Sequence, residues 1–230
     1  MTSEAASAPG RPAQAEGLDR TRTAVLTAAA HEFSRFGYAD SSMERVANAV
    51  WSPVGEGSPA GGVSAGAAYS RPELHHLFRS KEELALAVVP WFEKTWYQEV
   101  GHLLADHADP VRALLAVARA HAAFCRKGMP PFLTALRAEF DGRDHPVGHA
   151  VNEAIGHVID DTQRLIAAGR TSGAIPPGPP PRSLALGFLG VIYGLGIIHL
   201  SGPDSSDDAL AERGILGLLG VVSPTSSTGI

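Results

Sequence analysis

Two helix starts stand ten residues apart in this sequence, and together they leave few folds open. Ser70 and Glu73 have the S-x-x-E spacing of a capping box, and Ser80 and Glu83 repeat it. In such a box the Ser hydroxyl accepts from a free amide of the first turn and the Glu reaches back, so each pair marks a helix N-terminus. Pro72 falls in the first turn of the first helix, where a missing amide proton costs little. Leu74, Leu77 and Phe78 give that helix one apolar edge at i, i+3 and i+4. The spacing predicts a short helix over residues 70–77, a tight break, and a long helix from Lys81.

The same periodicity runs through the rest of the chain. Val25, Leu26, Ala29, Ala30, Phe33 and Phe36 recur at three- and four-residue steps and Gly37 supplies a stop, predicting an amphipathic helix over residues 18–36. Ser41 or Ser42 caps a short helix through Met43, Val46, Ala47 and Val50. Residues 51–67 carry five Gly and two Pro and read as a loop. This loop lacks the Lys followed by Ser or Thr that a phosphate-cradling P-loop needs. A long helix from Lys81 to about Leu104 carries Leu84, Val88, Trp91, Phe92, Trp96 and Val100, with a bend at Pro90. Further helices are expected over residues 111–126, from Pro130 and Pro131 to Phe140, and over 147–169, 183–200 and 207–222. Residues 176–181 are Pro-rich and read as a stiff, extended spacer. No run alternates with period two long enough for a strand, so the expected fold class is all-α with about nine helices.

At 230 residues the chain can hold one sizeable domain or a small one joined to a larger. Its division predicts a disordered arm over 1–17, a small helical domain over 18–80, a larger one over 81–222 and a tail over 223–230. A net charge of −5 excludes a generally basic polyanion binder. With Cys125 as the single cysteine no internal disulfide can form, and residues 1–17 lack the apolar core of a signal peptide, so a cytoplasmic chain is expected. Residues 183–200 are uncharged, close to the length of a membrane span. Their Gly content, His199 and the absence of flanking Lys or Arg clusters favour a buried or dimer-forming helix instead.

The run from Thr23 to Ala47, with its Phe36-Gly37-Tyr38 turn, and the run from Ser70 to Leu84, ending Ser80-Lys81-Glu82-Glu83-Leu84, together resemble the helix-turn-helix head of the TetR family of transcriptional repressors. The likeness covers about residues 20–88. The family joins its second helix to the recognition helix by a tight turn, whereas about seventeen extra residues intervene here. Residues 62–69 also imitate the family's turn and recognition helix, but that register needs a second insertion. The register starting at Ser70 needs one and keeps Phe78 and Ser80 at the family's spacing, so it is preferred.

The resemblance implies a ligand-responsive regulator without enzymatic activity or cofactor, a homodimer that binds double-stranded operator DNA and a small-molecule effector of unknown identity. In the preferred register it implies that Arg71, Glu73 and His76 reach base edges, with Ser70 opening the helix. His75 stands where the family has a phosphate-touching Tyr, and Lys81, Ser41 and Ser42 are phosphate contacts. Against strong binding, residues 18–84 hold seven Lys or Arg and eight Asp or Glu, a net charge of −1. For the ligand, Trp91, Phe92, Trp96, His121, Phe124, Phe132, Leu136 and Tyr193 offer an aromatic and apolar lining, with His121 and Arg137 as polar anchors. The last two long helices offer a dimer face, where Gly187, Gly190 and Gly194, with Leu216, allow close approach.

Three rival readings differ in class. His121 with Cys125, and His145 with His149, have helical i, i+4 spacing and could each present two metal ligands, although Pro146 disturbs the second pair. No metalloprotease His-Glu-x-x-His and no nucleophile elbow point to an enzyme. A helical dimer that keeps the fold without operator binding is the third alternative, and the insertion is its motive.

Overall fold

Apolar residues recurring every three or four positions become nine α-helices in the computed structural model, which describes residues 11–51, 71–105, 108–126, 132–197 and 206–221. In chain order they are α1 (Arg11–Phe36), α2 (Met43–Trp51), α3 (Arg71–Leu77), α4 (Lys81–Glu99), α5 (Pro110–Arg126), α6 (Phe132–Phe140), α7 (Pro146–Thr171), α8 (Pro181–Ile197) and α9 (Ser206–Leu219). A 3-10 turn, Gly101–Ala105, follows α4, and no strand occurs among the described residues. The all-α expectation holds.

Two boundaries differ from the periodic reading. Helix α1 starts at Arg11, so residues 11–17 are helical where a disordered arm was expected. They have almost nothing apolar to set a period, but Pro12 suits a helix start and Ala13, Gln14, Ala15 and Glu16 are strong helix formers. Helix α4 stops at Glu99, short of Leu104. Val100 leaves helical geometry at φ −129°, and a side chain at Gly101 would strike the rings of Tyr97 and Trp96 at 2.5 and 2.7 Å. The chain turns tightly over those two rings because residue 101 has no Cβ. Pro90 lies inside α4, which continues through it.

Helix α1 buries Val25, Leu26, Ala29, Ala30 and Phe33 against α2, α4 and α6. Phe36, expected on the same face, is 39% exposed instead. The guanidinium of Arg45 lies over its ring at 3.8 Å and that of Arg35 at 5.2 Å, so cations cover what the core does not. Helix α7 is central, packing on α4, α5, α6 and α8 through Val151, Ile155, Val158, Ile159, Leu165 and Ile166. Helix α8 lies on α7 and α9. The uncharged segment 183–200 is described as far as residue 197, and no described helix is long and apolar enough to cross a membrane.

Candidate functional site

Helices α2 and α3 pack together, with Val46, Ala47, Leu74 and Phe78 turned inward. The second capping box forms with a variation: Ser80 Oγ accepts from Glu83 N at 3.0 Å, while Glu83 Oε2 reaches past Ser80 to Arg79 N at 3.0 Å. Arg79's amide and guanidinium hold the Glu83 carboxyl below the usual carboxylate range. Of the residues expected to meet DNA, His75 and His76 are exposed on α3. Ser70 and the rival register at 62–69 lie outside the described residues, as do the side chains of Arg71 and Glu73.

The three expected phosphate contacts each make hydrogen bonds within the protein. Ser42 caps α2, its Oγ accepting from Arg45 N at 3.2 Å. Ser41 is buried, and its hydroxyl donates to the carbonyls of Gly37 and Glu32. The Lys81 Nζ donates to Tyr38 O, Ala39 O and Ser41 O at 2.6, 3.1 and 2.9 Å and lies 4.5 Å from the Tyr38 ring. An ammonium has three protons to give. Lys81 thereby staples α4 to the α1–α2 turn.

The same turn is held from its other side by Glu139 of α6. Glu139 Oε1 accepts from Ala39 N at 2.6 Å, and Oε2 accepts from Tyr38 N. The arrangement depends on Gly37, whose φ of +73° favours glycine and where a Cβ would come within 2.8 Å of Glu139 Oε2. Tyr38 then packs on Phe140 and on the edge of His145, at 5.1 and 5.7 Å between ring centres. His145 caps α7 through Val147 N at 3.2 Å and stacks on Phe140 at 4.5 Å. Glu139 escaped the sequence reading because nothing local distinguishes it; its partners are 100 residues earlier in the chain.

A cavity lies between α4, α5, α6, α7 and α8. Six of the expected ligand residues line it: Phe92, Trp96, His121, Phe124, Phe132 and Tyr193. Trp91, Leu136 and Arg137 do not. Leu136 is core, and exposed Arg137 donates to Asn152 Oδ1 at 2.9 Å. Glu93, Cys125, Leu133, Thr134, Ala154 and Val158 complete the wall. The empty volume is about 420 Å³, but only about 20 Å³ is open to the centre of a water, roughly room for one. A drug-sized ligand needs side chains to swing aside.

His121 organises this wall. Trp96 Nε1–H donates to His121 Nδ1 at 3.0 Å, which leaves the imidazole proton on Nε2, facing Cys125 Sγ at 3.5 Å. Burial pushes the His121 pKa down to about 4, so the ring is neutral near pH 7. Burial also pushes the Cys125 thiol up to about 11 and the Tyr193 hydroxyl up to about 12. A thiol held protonated is a poor nucleophile and a poor metal ligand. No group of three or more metal-ligating residues occurs among the described residues, and His149 turns to Asp144 at 2.8 Å, away from its expected mate His145.

The glycines of α8 divide in two. A Cβ at Gly187 would meet Leu218 Cδ1 of α9 at 2.8 Å, so this glycine serves the contact within the chain. Among the described residues nothing lies within 4 Å of that position at Gly190 or Gly194. Leu186, one turn before Gly190, is 51% exposed, and Leu216 of α9 is half-buried.

No protein-family model and no curated protein matches the chain. Solved structures do. A TetR-family transcriptional regulator from Agrobacterium tumefaciens superposes with a TM-score of 0.69 at 16% identity, over 89% of this chain and 99% of that one. AibR, in complex with isovaleryl coenzyme A and operator DNA, gives 0.65 at 20% identity over 88% and 100%. FadR from Bacillus subtilis, in complex with stearoyl-CoA, gives 0.60 at 16% identity over 87% and 99%.

Proposed function

We propose that this chain, which has the fold of TetR-family transcriptional regulators, is a ligand-responsive DNA-binding regulator, a cytoplasmic repressor released from its operator by a small molecule. In this reading residues 18–80 are the DNA-binding head and residues 81–222 bind the effector and dimerise. Helix α3 enters the major groove with Arg71, Glu73, His75 and His76 toward the DNA. Two copies associate through α8 and α9, with Leu186, Gly190 and Gly194 at the contact.

The observation that carries the reading is the double role of α6. Its first turn puts Phe132, Leu133 and Thr134 on the cavity wall, and near its other end Glu139 holds the amides of Tyr38 and Ala39 in the head. A ligand that parts the cavity wall displaces α6, and α6 moves the turn on which α2 and α3 ride. The ligand thereby favours one of two head positions by its differential contacts with the two states. AibR and FadR, solved in complex with isovaleryl coenzyme A and stearoyl-CoA, are proteins of this fold that bind a small molecule.

A second reading draws support from Lys81 and Ser41, whose polar groups are tied up inside the protein, and from the acid-balanced head: a helical dimer that senses a ligand and passes the signal to a protein partner. Selection of bound duplexes from a random pool distinguishes them. The regulator reading expects an enriched sequence whose affinity falls with salt, on a shallow slope because the head is acid-balanced. Absence of any enriched sequence, together with retained dimerisation, would sink it in favour of the second.

A further inference from the structure

The charge pattern of the cavity narrows the ligand class further, on the reading that this cavity is the effector site. Phe92, Trp96, Phe124, Phe132 and Tyr193 make its wall aromatic, and no Lys or Arg is among its described lining residues. His121 is neutral and has both nitrogens engaged by Trp96 and Cys125. Among the described lining residues the formal charge is the carboxylate of Glu93, which lines both the cavity and an outer groove formed with Tyr97, His157, Asp160, Asp161 and Arg164. In that groove Asp161 accepts the Tyr97 hydroxyl proton at 2.6 Å and pairs with Arg164, while Arg182 stands 3.4 Å from Asp160. The Oγ1 of Thr134 is buried with no hydrogen-bond partner among the described residues, although its residue lines the cavity.

An anion would meet the Glu93 carboxylate and no Lys or Arg among the described lining residues, shedding its hydration with little compensation. A cation would meet the carboxylate first and the negative faces of the rings behind it. We propose that the cavity takes a lipophilic monocation, an apolar body bearing one ammonium-type group, with its charge at Glu93 and its body along the aromatic wall. The orphan hydroxyl of Thr134 serves a polar group on the same ligand. His157, exposed at the rim with Nδ1 2.7 Å from Glu93 Oε1, is the neighbour that the incoming cation displaces.

Three probes with one ten-carbon tail test this on the full chain without DNA: decylammonium, decanol and decanoate at pH 7.5, below their micelle concentrations, by calorimetry. Decylammonium is expected to bind about tenfold tighter than decanol, which corresponds to about 1.4 kcal/mol, and decanoate weakest. Glu93→Gln should bring decylammonium to the level of decanol and leave decanol within about twofold, and Glu93→Lys should put decanoate ahead. Decanoate equal to or better than decylammonium in the wild type overturns the proposal. So does a cation preference that survives Glu93→Gln. If none of the probes binds, the effector-cavity reading falls with it; if the cation preference holds while no DNA sequence is selected, only the regulator reading falls.

Discussion

Acid should loosen this protein through one imidazole. His121 is 5% exposed, and protonating its Nδ1 would remove the acceptor for the Trp96 indole proton while placing a charge among aromatic rings. Burial pushes its pKa in the folded chain down to about 4, against 6.5 for an ordinary histidine. The unfolded chain therefore takes up this proton as pH falls through about 6.5, and the folded chain waits until about 4. Between those values the unfolded state holds more protons, so the stability present above pH 6.5 is lost as pH falls toward 4. At about 1.4 kcal/mol per pH unit the window is worth about 3 kcal/mol, a large share of a typical domain's stability. Urea unfolding followed by tryptophan fluorescence, at pH 7.5 and 4.5 and at one fixed chain concentration, measures it. Carboxylates also titrate on the way down, so the quantity to compare is the difference between wild type and His121→Gln, whose amide oxygen can accept from Trp96 but takes no proton. Wild type should lose about 2–3 kcal/mol more than the variant across this interval. Parallel losses in the two proteins, or a wild-type loss already complete above pH 6.5, would refute the buried neutral imidazole.

The grip on the α1–α2 turn makes separate predictions. Glu139→Ala removes two bonds from a carboxylate to backbone amides and should cost about 2 kcal/mol; hydrogen exchange at Tyr38 and Ala39 should quicken at least about tenfold, and unchanged exchange would mean another group holds them. Lys81→Met keeps the apolar stem but gives up three carbonyl contacts, so about 2 kcal/mol of stability should go, while the salt slope of any DNA binding stays as it was; a slope reduced by about one would instead identify Lys81 as a phosphate contact. Leu186→Glu places a carboxylate on the open stripe of α8. On the proposed dimer, sedimentation should show this variant dissociating at concentrations where wild type stays paired, and an unchanged oligomer would move the interface elsewhere.

Much of the fold is legible because helices announce themselves locally. The Ser80 cap, the Gly37 stop and the apolar edge Leu74, Leu77 and Phe78 are decided by neighbours within one or two turns, and the structure has all three. The start of α1 is not legible from periodicity, since residues 11–17 form helix by backbone preference with no apolar stripe to betray it. Lys81 illustrates what is harder to read. A lysine opening a long helix suggests a phosphate contact by its position, whereas the three carbonyls it meets lie about 40 residues earlier in the chain, which no local pattern records. The cavity lies between these extremes: large aromatics such as Phe92, Trp96 and Phe124 stand out in any reading, whereas Glu93 and Thr134 gain meaning only when α4 and α6 face each other.

The junction of head and bundle is written in main-chain atoms. Lys81 binds three carbonyls and Glu139 two amides, and the head contributes no polar side chain to those five bonds. Those five bonds ask of the head only a short turn that Gly37 can make, while its apolar contribution to the junction comes from α1 and from the Tyr38 ring. The outward surface of α2 and α3 takes no part in those five bonds, so on the proposed function one bundle can carry different reading heads. Grafting a foreign head with the same turn and the same apolar α1 face onto residue 81 should yield a chimera that folds, and on the proposed function one that still answers to an effector in the bundle.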